Sequence, residues 1–138
     1  MDYTVIYTIQ NKQYRINEQH RNNNPNKSQW IIDHNIELEI FEGCIQHKWL
    51  SSCEKYAYGL LIRSQKPDKI GKTATSSSSS QELYIAKFCC DQNIWHGFPC
   101  GDKGDDFEKI SDETIINWRE NKYFSKKTLS KINKGLKI

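Results

Sequence analysis

An α+β fold, built as an antiparallel sheet of four or five strands packed against helices and closed by a C-terminal helical pair, follows from three features of this chain. Apolar residues alternate over short stretches between residues 3 and 63 and again over 82–89. Two serine-capped helical patterns occupy residues 110–138. The length of 138 residues suits a single domain with one ordinary core.

Each element has a local reason. In "YTVIYTI" Val5, Tyr7 and Ile9 alternate with Thr4, Ile6 and Thr8, so residues 3–9 read as a strand that turns at Asn11 into a second strand over 12–17. "NEQHRNNNPNKSQ" is polar and interrupted by Pro25, the composition of a loop. Over 30–41 the alternation of Ile36, Leu38 and Ile40 favours a strand. Ile36, Ile40, Phe41, Cys44 and Ile45 also fit one helical face; the reading adopted is a strand through Phe41, followed by a helical or irregular stretch. "YAYGLLIRS", rich in tyrosine and containing Gly59, reads as a strand over 56–63. It is expected to pair with the strand at 82–89. Between them, residues 67–80 form a Ser-rich segment expected to be flexible, because it has too little apolar surface to offset the entropy of ordering.

The C-terminal signals are more specific. Ser111 can cap a helix whose first turn holds Asp112 and Glu113 at the positive end of the dipole, with Ile110 and Ile115 at the hydrophobic-staple positions. Ser125 repeats the device with Phe124 and Leu129. Leu129, Ile132 and Leu136 form a stripe, Gly135 can end the helix, and Trp118, Ile115, Leu129 and Ile132 are expected to meet the sheet.

Apolar residues make up 36% of the chain and aromatics 12%, so four Trp, seven Tyr and five Phe must anchor the core. No run approaches the ~20 apolar residues that span a bilayer, and "MDYTVIYTIQ" has neither the basic nor the apolar region of a secretory signal. Five cysteines, an odd number without scaffold spacing, point to reduced thiols and a cytoplasmic protein. The net charge of +3 is unevenly placed: residues 121–138 hold six lysines and no acid, so the remaining 14 cations and 17 acids leave the first 120 residues at −3.

Three groupings are candidates for function. The first is a basic surface of Arg119, Lys122, Lys126, Lys127, Lys131 and Lys134, with Lys137 beyond, able to neutralise phosphates or meet an acidic protein. Thr128, Ser130 and Asn133 are too few to read base edges. The second is "WHGFP", taken as an aromatic Gly-Pro loop in which Trp95 and Phe98 offer contact area and His96 a polar group. The third is a zinc site from Cys44, His47, His96 and Cys100, with Cys53, Cys89 and Cys90 as substitutes; buried free thiols are preferred over it, so no cofactor is expected. Acid–base chemistry would draw on His96 with His47, or on Asp102, Asp105, Asp106 and Glu108. The "DKGDD" turn lacks the ligand spacing of a calcium loop, and no nucleophile elbow or phosphate-cradling glycine loop is present. The expectation is therefore a small non-catalytic binding protein that occupies a surface of a nucleic acid, a nucleoprotein or an acidic protein, as an inhibitor or immunity factor would. A nuclease or metal-dependent hydrolase is the alternative.

Overall fold

The structure, a computed structural model, describes residues 1–77, 80–103 and 105–135. In chain order its elements are β1 (Tyr7–Ile9), β2 (Lys12–Tyr14), a 3-10 turn (Glu18–His20), β3 (Gln29–Trp30), α1 (His34–His47), β4 (Tyr56–Gly59), β5 (Ile62–Arg63), β6 (Lys66–Pro67), β7 (Gly71–Lys72), β8 (Glu82–Leu83), β9 (Ile85–Asp91), β10 (Ile94–Cys100), α2 (Asp112–Glu120) and α3 (Lys126–Asn133). Leu136 of the apolar stripe, Lys137 beyond the basic surface, and Ser78 and Ser79 of the serine run lie outside the described residues.

The frame is a five-stranded sheet ordered β1-β2-β10-β9-β4. Two hairpins build most of it, and both turn on the same dipeptide. Gln10 and Asn11 lie at φ 49° and 67°, Gln92 and Asn93 at φ 50° and 65°. Two successive left-handed residues make a type I′ turn, whose twist matches that of the flanking strands. β4 pairs antiparallel with β9, Tyr56 opposite Cys89 and Gly59 opposite Ala86, as expected for 56–63 and 82–89. The sheet is nevertheless mixed, because β2 and β10 run parallel with Trp95 opposite Tyr14. Parallel neighbours need a long crossover, and residues 15–93 supply one.

Three further expectations change. Residues 34–47 are a helix, not the second half of a strand over 30–41. Asp33 caps it by accepting a bond from Ile36 N at 3.0 Å, and Glu37, Ile40, Phe41 and Cys44 form the buried i, i+3, i+4, i+7 stripe. The "WHGFP" segment is a strand of the main sheet rather than a loop. Pro99 is tolerated there because β2 pairs only with Ile94 and Trp95, leaving the far end of β10 without a neighbour in this sheet on that side. Residues 70–73 of the presumed flexible segment are ordered: β7 lies between β3 and β8, Ile70 is fully buried, and Thr73 N donates to Gln81 O at 3.0 Å.

The sheet separates two cores. Ala57, Gly59, Ala86, Phe88, Trp95 and Gly97 point towards α1, where Ile40, Phe41 and Cys44 pack on them. Gly59 permits this close approach, since a Cβ there would sit 2.5 Å from Cys44 Sγ and 2.7 Å from Ile40 Cγ2. Tyr58, Ile85 and Cys100 point the other way, into a cluster with Trp118, Leu129 and Ile132, so the C-terminal pair meets the sheet through the residues expected. Further along this second face Lys87, Cys89, His96 and Phe98 are not covered by α2 or α3. A polar cavity opens on this uncovered part.

Candidate functional site

The basic surface is assembled by capping and burial. Ser125 Oγ accepts from Thr128 N at 3.1 Å and starts α3, while Leu129 and Ile132 fix which side faces inward. At 3.6 residues per turn Lys127, Lys131 and Lys134 then fall within an arc of roughly 60° on the opposite side, with Lys126 flanking them. All four are exposed, and among the described residues none lies within an ion pair. Arg119 and Lys126 line one groove of about 450 Å³ between α2 and α3, floored by Ile115 and Leu129. Lys122 is exposed after α2. The neighbouring helix has the opposite character, since α2 carries Asp112, Glu113 and Glu120 beside Arg119.

The aromatic segment offers no such surface. Trp95 is 4% exposed and packs on Phe41 with ring centroids 5.4 Å apart, so it belongs to the core. Phe98 is half-buried and stacked on His20 at 5.1 Å and 17°. His96 is half-buried beside a groove shared with Tyr3, Arg15 and Asp91; its Nδ1 is buried with no hydrogen-bond partner among the described residues, and burial holds its pKa below the usual imidazole value.

The zinc grouping is not gathered. Cys44 and Cys100 sit in the two different cores, where burial pushes both thiols up. His47 lies exposed against Trp49, and His96 stands four strand residues from Cys100, a span of ~13 Å along an extended chain. Among the described residues no group of three or more His, Cys, Asp or Glu side chains could hold a metal ion. His47 and His96 share no contact, which leaves that acid–base pair without geometry. Of the acidic turn, Asp106 is buried and spends its Oδ2 on Gly101 N at 2.7 Å and Lys103 N at 3.2 Å. It organises the loop; burial raises its pKa while those two amides oppose the rise.

What residue patterns did not reveal is a polar cavity of about 270 Å³ on the uncovered part of the second sheet face. His20, Ser28, Lys87 and Asp106 line it, four of the nine buried polar residues described. His20 Nδ1 lies 2.8 Å from Ser28 O, so that nitrogen carries the proton and Nε2 is an acceptor; burial lowers the ring's pKa to about 4. Ser28 Oγ donates to Pro99 O at 2.7 Å, tying the 20–28 loop to β10. The Lys87 ammonium lies 5.4 Å from the Tyr56 ring and 6.0 Å from the Tyr58 ring, with no carboxylate partner among the described residues. No alternation or spacing could have signalled this group, because its members are brought together only by the mixed sheet.

No family model, curated protein or solved structure matches this chain. Function therefore rests on the chemistry of these sites. Among the described residues no helix is long and apolar enough to cross a membrane.

Proposed function

We propose that this is a non-catalytic cytoplasmic binding protein that docks on the phosphate backbone of a nucleic acid or nucleoprotein through the outer side of α3. The observation that carries the reading is the exposed side holding Lys127, Lys131 and Lys134, flanked by Lys126, none of them in an ion pair among the described residues. Unpaired lysines on one side of a helix form a field that attracts polyanions. The first turn supports it. Lys126 and Lys127 stand at the positive end of the helix dipole, a placement that costs a few tenths of a kcal/mol or more per charge, whereas α2 puts acids at the same positions. Binding would be independent of base sequence, because α3 presents only short polar side chains beside its lysines. Five free thiols support the reducing compartment.

The test is the salt dependence of binding to a labelled duplex. Four phosphate contacts correspond to a slope of about −3.6 in log K against log salt on B-DNA. Replacing Lys126, Lys127 and Lys131 by alanine should flatten it by roughly 2.7. Binding that ignores salt or is indifferent to the triple variant would refute the phosphate reading, and a native complex that survives nuclease treatment would assign the face to an acidic protein instead.

A further inference from the structure

We propose that the polar cavity beneath the 20–28 loop is a binding site for a small zwitterion of amino-acid size, distinct from the α3 surface and independent of it. The argument starts from Lys87. The residue is 9% exposed and lines the cavity; its ammonium lies near the Tyr56 and Tyr58 rings and within electrostatic reach of Asp106, and among the described residues it makes neither a hydrogen bond nor an ion pair. Buried charges are normally paired, because an uncompensated one forfeits hydration without return. A buried lysine that lines a cavity, with no direct acceptor among the described residues, can receive an anionic group.

A plain anion does not fit the rest of the lining. Asp102, Asp105 and Asp106 face the same space, as do Lys27 and Lys103, so three carboxylates oppose three ammonium groups around a neutral imidazole. A simple anion would meet three carboxylates and a simple cation three ammoniums; a molecule bearing both charges satisfies each set. The acceptors are available for its positive end. Asp102 and Asp105 make no ion pair among the described residues, and with the proton on Nδ1 the His20 ring offers Nε2 as a lone pair. Phe98 supplies an apolar wall.

Size narrows the class. A volume of about 270 Å³ lies just under the range of drug-sized pockets and matches roughly nine water molecules. The walls are also held in place, by the Ser28–Pro99 bond, the His20–Phe98 stack and the bonds from the Gly101 and Lys103 amides to Asp106.

The experiment is a thermal-shift screen of the full chain against the twenty standard amino acids singly, with sodium phosphate and putrescine as single-sign controls, followed by calorimetry on any hit. At least one amino acid should raise the midpoint while neither control does. Lys87→Met should weaken that ligand at least tenfold; its apolar stem can occupy the same slot between Tyr56, Tyr58 and Phe98. Asp105→Asn, a change at an exposed residue that leaves the core untouched, should weaken it several-fold and serves if Lys87→Met fails to fold. No shift with any amino acid, an equal shift with phosphate, or affinity unchanged in Asp105→Asn would each overturn the proposal.

Discussion

His20 shows how one buried side chain couples stability to pH. Its imidazole stays neutral in the folded protein down to about pH 4, while in the unfolded chain it takes up a proton near its ordinary value of 6.5. Between those values the unfolded state binds the additional proton, so the stabilising contribution is complete above pH 6.5 and drains away as pH falls towards 4. The ceiling on this effect is about 3 kcal/mol. His96, also lowered by burial, acts in the same direction; Glu37 and Asp106, whose carboxyls are raised, favour the folded state as pH falls. The useful quantity is thus a difference. Urea midpoints of the native protein and His20→Gln should converge as pH drops from 7 to 4.5, and curves that stay parallel would show that the ring is not buried in its neutral form. At this scale the sequence was least informative. A histidine in "EQHRNNN" and a lysine in "IAKFCC" look like loop and solvent-facing residues, and only the fold brings them to one cavity.

Elements were readable where local chemistry is self-sufficient. Ser111 and Ser125, with their staple partners, specify two helix starts without help from the rest of the chain, and Asn11 marks a turn because asparagine tolerates positive φ. The identical signal in Gln92-Asn93 was available and identifies the β9–β10 hairpin that makes "WHGFP" a strand. Helix α1 was harder, since its decisive features are Asp33 as cap and a charged residue in the apolar stripe. Glu37 has no exposed surface; it accepts from Tyr14 Oη and from Arg21, whose Nη2 lies 2.7 Å from Oε1. Arg21 also donates to Ile32 O at 2.8 Å, so one guanidinium fastens the 17–33 connection to α1. Arg21→Met strands a buried carboxylate and should cost ~3–5 kcal/mol. Adding Glu37→Gln removes the charge yet keeps an acceptor for Tyr14, so the double variant should regain most of the loss in urea unfolding. If the second change deepens the defect, the pair was not what held the connection.

At the scale of the molecule the question is whether two cores unfold as one. Successive residues of the central strands face opposite sides: Ala57 and Ala86 enter the α1 core, while Tyr58 and Ile85 enter the core under α2 and α3. Neither core can lose its sheet face without disturbing the other, which predicts a cooperative unit. Pattern reading could identify the apolar faces of the helices but not this sharing, because the strand order, including the parallel pairing of β2 with β10, joins segments far apart in the chain. The cysteines provide a readout, since Cys44 belongs to one core and Cys100 to the other, and both are buried as free thiols. Cys53 is exposed and should react first with a thiol reagent, its pKa lowered by the Ser51 hydroxyl. Cys89 and Cys90 are half-buried and should follow. Labelling of Cys44 and Cys100 by mass spectrometry in rising urea, under conditions where closing outpaces reaction, reports the free energy of opening at each site. Equal values matching the global unfolding free energy are expected. A lower value at Cys100 alone would mean that the C-terminal pair detaches by itself, making the cationic face a separately mobile unit carried on a stable α1-backed sheet.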